Sequence, residues 1–147
     1  MRVVERFAGR YEHSLDTKGR LVLPARLRSA FDGQGGYLTK GAEGCVALWP
    51  HERYQHKLVD LEVQAEEAGT REARAKERIF ASAEHVTPDS QGRIPVAAYL
   101  QDFAGLDPAR VLVRGANRIV ELWKLERWER VEALADLELL GDDPGAP

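Results

Sequence analysis

Two five-residue segments of the 147-residue chain set an aspartate four places before an arginine, with a glycine just ahead of the arginine: Asp16-Thr-Lys-Gly-Arg20 and Asp89-Ser-Gln-Gly-Arg93. Each reads as a tight reversal. An aspartate there can bond backbone two residues on, and Gly19 or Gly92 can take the positive φ that other residues resist. The closing arginine carries a planar guanidinium that stays charged and donates two parallel bonds, a geometry suited to phosphate. Spacing alone leaves two roles open, pairing with the aspartate across the turn or facing an anionic partner. Generic turns would not keep both ends of one ion pair twice, so the geometry matters to fold or to partner.

Other chemistries find little support. His13, His51, His56 and His85 include no i,i+4 pair on a helix, and Cys45 is the single cysteine, so neither a metal site nor an intrachain disulfide is expected. Glu66 and Glu67 are adjacent on a helix and point apart, as on a solvated face. Ser14, Ser29, Ser82 and Ser90 sit in no G-x-S-x-G elbow, and Gly33–Gly36 is neither a Walker loop nor a dinucleotide fingerprint. Cys45, beside Val46, reads as core. No enzyme, cofactor or small-molecule substrate is expected.

The elements that must position the two turns come in duplicate. Residues 41–54, GAEGCVALWPHERY, match 115–128, GANRIVELWKLERW, at seven of fourteen positions with an offset of 74, while the turns repeat at an offset of 73. A duplicated unit of about 45 residues explains both. Alternation in YEHSLD (11–16) predicts a strand, DTKGR a reversal, and Arg20–Leu23 the returning strand. Pro24 suits a helix start, and ARLRSAF continues it for about two turns. YLTK and CVALW are two further strands. The second unit repeats this with a turn at 89–92, a strand at 93–96, a short helix at 97–103 and strands at 111–114 and 118–123. Helices are expected over 51–67, ending near Gly69, over 71–81 behind a Thr70 cap, and from Trp128 to about Leu140. The tail GDDPGAP reads as disordered. Trp49 and Trp123 fall at equivalent strand ends, which favours a core role. A four-strand unit cannot bury both faces alone, so the copies are expected to pack or interleave about a pseudo-twofold axis.

Composition agrees with a globular protein: 44% of residues are hydrophobic and 31% charged. No apolar run reaches the ~20 residues that span a bilayer, and the start shows no signal-peptide pattern, so a cytosolic protein is expected. Net charge is −3, which excludes a globally basic nucleic-acid binder. Its distribution is uneven: residues 1–28 carry seven Lys/Arg against three acids, whereas Glu121 onward carries eight acids against three bases. Local field decides what a surface attracts.

YEHSLDTKGRLVLPARLR, the second DSQGR with its short helix and AGL, and GANRIVELW together resemble the MraZ family, from about Phe7 to Trp128. These are bacterial transcriptional regulators with tandem SpoVT-AbrB-type domains. The resemblance implies an α+β, β-rich fold of duplicated AbrB-like swapped-hairpin units with flanking helices. It places a first domain at 10–53, a helical linker at 54–82, a second domain at 83–127 and a C-terminal helix and tail at 128–147. It further implies a cytoplasmic, nucleoid-associated, ring-shaped homo-oligomer that binds double-stranded promoter DNA at short repeats before the division and cell-wall gene cluster. The family's Asp-x-x-x-Arg motif, tied to DNA contact, falls on Asp16 to Arg20 and Asp89 to Arg93. Phosphate attraction would use Lys18, Arg20, Arg28 and Arg93, with Arg10 and Arg26 as further candidates; Thr17, Ser90 and Gln91 could reach bases or phosphates from the turns. Asp16, Gly19, Asp89 and Gly92 would shape those turns. Gln101 stands where the first unit has Arg28, which ranks Arg20 and Lys18 above Arg93, and Pro95 interrupts the second strand, which makes that strand an edge or one that begins late. Oligomerisation is assigned to the helices after each unit, above all the stripe Trp128, Val131, Leu134, Leu137. The rival reading is a ring-forming interaction scaffold without DNA.

Overall fold

In the computed structural model, residues 6–141 are described; the predicted disordered tail falls almost wholly outside them. The first half runs β1 (Arg10–His13), β2 (Arg20–Val22), α1 (Ala25–Arg28) with a 3-10 turn at Ser29–Phe31, β3 (Gly36–Lys40), β4 (Val46–Pro50), α2 (His51–Ala68) and α3 (Arg71–Ala81). The second runs β5 (Glu84–Val86), β6 (Arg93–Pro95), α4 (Ala98–Ala104), β7 (Val111–Ala116), β8 (Ile119–Lys124) and α5 (Leu125–Gly141). Gly69 ends α2 in the left-handed conformation, and the Thr70 hydroxyl accepts the Ala73 amide at 3.1 Å to start α3.

Several bounds differ from expectation. β1 stops at His13, because beyond it the Leu15 amide donates to the Pro108 carbonyl and leaves the ladder. α1 is a single α-turn that tightens into the 3-10 turn. α5 begins at Leu125, three residues early, directly off β8. β5 has only three residues, too few for alternation to reveal it.

The strands form a six-stranded antiparallel sheet in the order β1-β7-β8-β4-β3-β5 and a separate two-stranded ribbon of β2 with β6. Exchanging the halves reverses the sheet order onto itself, so the pseudo-twofold axis passes between β8 and β4. Each first strand crosses over: β1 pairs with β7 of the second half, and β5 with β3 of the first. The units therefore interleave, as a swapped-hairpin fold requires.

The central core draws from both halves. Leu21, Leu23, Leu27, Phe31, Leu38 and Leu48 meet Ile94, Val96, Leu100, Val113, Val120 and Leu122. Burying each such side chain contributes about 1.5–3 kcal/mol. Pro95 lies on an edge, as expected, since both strands of a two-stranded ribbon are edges. Two smaller clusters sit under the long helices: Tyr54, Leu61 and Phe80 beneath α2 and α3, and Cys45, Leu112, Trp123 and Leu125 beside α5.

Candidate functional site

Both turns have the same geometry. Asp16 Oδ1 accepts the Lys18 and Arg20 amides, each at 2.9 Å, and its Oδ2 accepts Arg20 Nε at 2.8 Å. Asp89 repeats this with the Gln91 and Arg93 amides at 2.9 Å and Arg93 Nε at 2.8 Å. Gly19 and Gly92 close the reversals with φ of 74° and 75°, each donating its amide to the aspartate carbonyl at 2.9 Å. The Arg20 amide is the main influence holding the Asp16 carboxyl below the usual aspartate range, and the Arg93 amide does the same for Asp89. Pairing across the turn is thus realised, and it engages only Nε. Among the described residues neither arginine bonds through its Nη groups, so both keep the fork that a phosphate or guanine accepts.

The ribbon brings the two turns together. Arg20 stands opposite Pro95, Leu21 opposite Ile94 and Val22 opposite Arg93. Opposed residues share a face, so Leu21 and Ile94 point inward, both fully buried, while Arg20, Val22, Arg93 and Pro95 share the other face. The two arginine Cα positions lie roughly 8 Å apart, given ~3.3 Å per residue and ~4.8 Å between strands. Val22 and Pro95 are exposed between them, a small apolar patch on the basic face. Sequence reasoning missed both residues, because only the cross-strand register places them there.

Each turn is also held by the opposite half. The Leu23 amide donates to the Gly92 carbonyl and the Val96 amide to the Gly19 carbonyl, both at 2.9 Å. Arg28 Nη2 donates to the Leu23 carbonyl and Gln101 Nε2 to the Val96 carbonyl, both at 2.8 Å. The Arg28 guanidinium lies where a Cβ on Gly92 would be, and Gln101 Nε2 lies 2.8 Å from where a Cβ on Gly19 would be. Arg28 therefore serves the second turn and Gln101 the first, which removes the ground for ranking the first turn above the second. The positive charge thought missing from the second unit is supplied to its turn by Arg28.

Thr17, Lys18, Ser90 and Gln91 are exposed at the turn tips, and Arg26 is exposed on α1. Arg10 lies elsewhere, on β1, bonded to Glu132 of α5 at 2.9 Å. Among the described residues no group of three or more His, Cys, Asp or Glu is placed to hold a metal. Cys45 is fully buried, and burial pushes its thiol well above the usual range. Trp123 is buried 5.4 Å from the Trp128 ring, the core role expected, whereas Trp49 is half-buried and packs edge-on against Phe80 at 5.0 Å. No described helix is long and apolar enough to cross a membrane.

The chain matches a family model described as "MraZ protein, putative antitoxin-like" twice, over residues 6–78 and 79–140. It is 40% identical to "Transcriptional regulator MraZ" of Heliobacterium modesticaldum over 125 residues, covering 84% of this chain and 85% of that protein. The proteins of the same name from Salinispora tropica and Thermomicrobium roseum are 37% and 42% identical, covering 95% and 83% of this chain and 96% and 84% of theirs.

Proposed function

The chain belongs to the MraZ family, and from that premise we propose that it is a sequence-specific DNA-binding transcriptional regulator. It represses the division and cell-wall gene cluster by holding short promoter repeats as an oligomeric ring, in the cytoplasm at the nucleoid. The observation that carries this reading is the ribbon face, which carries both Arg20 and Arg93, each held through Nε in an identically built turn with its Nη donors unspent.

Arg20 and Arg93 are the central contacts, each donating its fork to a phosphate or to the O6/N7 edge of a guanine. Lys18 neutralises a phosphate beside them, and Thr17, Ser90 and Gln91 reach from the tips. Asp16 and Asp89 orient the arginines and do not touch the anion; Gly19 and Gly92 let the chain reverse. Arg28 acts on the second turn as a clamp and adds its charge nearby.

So few phosphate contacts bind weakly per protomer, because affinity rises with the number of phosphates neutralised. A ring that presents several ribbons along one face engages successive repeats at once, and effective concentration then supplies orders of magnitude. Duplexes carrying one, two and three repeats, titrated with the wild-type protein, should bind with steeply rising affinity. Equal affinity for all three would contradict the ring mode of binding.

A further inference from the structure

We propose that the cavity beside the first turn binds a small guanidinium-bearing amino acid, free arginine being the simplest, in the place that the other half fills with its own Arg28 side chain. The cavity has a volume of about 650 Å³ and is walled by Asp16, Lys18 and Gly19 of the turn, by Glu84 and His85 of β5, and by Gln101 of α4. Small-molecule sites typically measure about 300–1,000 Å³.

The internal duplication shows what the space fits. At the 73-residue offset Gly19 matches Gly92, Arg28 matches Gln101 and Tyr11 matches Glu84. In the second turn the Arg28 guanidinium covers Gly92: Cζ, Nε and Nη2 all lie within 2.6 Å of where a Cβ would be, and Gly92 is buried beneath them. Nη2 donates to the Leu23 carbonyl. In the first turn Gln101 makes the matching bond to the Val96 carbonyl, but its shorter side chain brings only Nε2 over Gly19, which stays half-buried in the cavity wall. One half thus holds a seated guanidinium, and the other an open seat.

The groups around the open seat suit that cation. Where the other half packs Tyr11 against the core, this one places the Glu84 carboxylate. Glu84 Oε1 accepts the Tyr99 hydroxyl at 3.0 Å, and its Oε2 has no partner among the described residues. A carboxylate holds a guanidinium through charge-assisted bonds, and the Val96 carbonyl has a second lone pair for the same group. Asp16 is engaged by its own turn through both oxygens, and His85 Nε2 by the Gln34 carbonyl at 2.9 Å. Lys18, exposed, is the one lysine lining the cavity, and no arginine lines it. The site therefore selects a zwitterion, with its guanidinium at Glu84 and its carboxylate at Lys18. The regulatory consequence rests on the DNA reading: a Lys18 engaged by the ligand is withdrawn from phosphate, so ligand and DNA weaken each other's binding by the same factor.

Calorimetric titration of the full chain with free arginine, without DNA, tests the site. Arginine should bind saturably, one per chain, whereas citrulline, of the same shape but with a neutral urea, should not. Gln101→Arg, which puts the other half's side chain into the seat, should abolish binding, and a cooperative thermal transition checks that the variant folds. Glu84→Gln, an exchange at an exposed position, should weaken binding about tenfold. Equal binding of citrulline, undiminished binding in either variant, or no saturable heat at millimolar arginine would overturn the site. Fluorescence anisotropy with the promoter duplex is the separate readout, at ionic strength matched with sodium chloride. Arginine just saturating for the wild type should lower its DNA affinity and leave that of Glu84→Gln nearly unchanged. Arginine that binds without moving DNA affinity defeats the regulation, and a chain that binds arginine but no duplex defeats only the DNA reading.

Discussion

At the scale of single residues, the two glycines of the paired turns carry the sharpest consequences. Both hold φ near +75°, where a β-carbon costs about 1–3 kcal/mol. Gly92 has a second burden, because its missing Cβ is the space that the Arg28 guanidinium occupies. At Gly19 the obstacle is one atom, Gln101 Nε2 at 2.8 Å, whereas Cζ, Nε and Nη2 of Arg28 all lie within 2.6 Å of the Gly92 position. Gly92→Ala should therefore lower the thermal midpoint more than Gly19→Ala, a comparison one calorimetric series makes. The aspartates give a pH dependence with a definite sign. Their carboxyls lie below the ordinary value of 3.8, so their contribution to stability is fully present above that value and is lost as pH falls through the lower folded value. Carboxyl chemical shifts of Asp16 and Asp89 should stay flat from pH 8 to 5 and titrate with midpoints below 3.8. Titration near neutrality would contradict the hydrogen-bonded geometry.

At the scale of elements, the ribbon of β2 with β6 and the helices α1 and α4 form one device that fixes both turns. The turns themselves were legible in sequence: the Asp-x-x-Gly-Arg spacing names the aspartate acceptor, the left-handed glycine and the arginine, and all three behave accordingly. Their mutual placement was not legible. Periodicity tells which face of a strand is apolar, but it does not say which strand pairs with which, so Val22 and Pro95 could not be put between the arginines. For the same reason Gln101 looked like a lost cation when it is the clamp of the other half's turn. That substitution yields a test of the clamp. Gln101 shows that an amide can make the bond, so Arg28→Gln should keep most of the stability. Arg28→Ala, which abandons the Leu23 carbonyl, should cost about 1 kcal/mol in urea unfolding.

At the scale of the whole molecule, strand exchange makes two repeats into one folding unit. β1 lies on β7, β5 on β3, and the core mixes leucines from both halves, so neither half can lose its structure alone. Unfolding followed at Trp49 and at Trp123 should then give coincident transitions. The sequence repeat announced the duplication, whereas the exchange rests on β1 pairing with β7 and β5 with β3, and β5 is three residues long and silent to periodicity. In the same architecture the proposed reading of DNA falls to Arg20 and Arg93 together, on one ribbon face. Fluorescence anisotropy with the chain's own upstream promoter duplex, across a salt series, tests this most directly on wild type, Arg20→Ala and Arg93→Ala. Tight binding that weakens with salt should fall comparably in both variants, each flattening the log–log salt slope by about 1. Undiminished binding in both variants, or a wild type indifferent to the duplex at low salt, would contradict it.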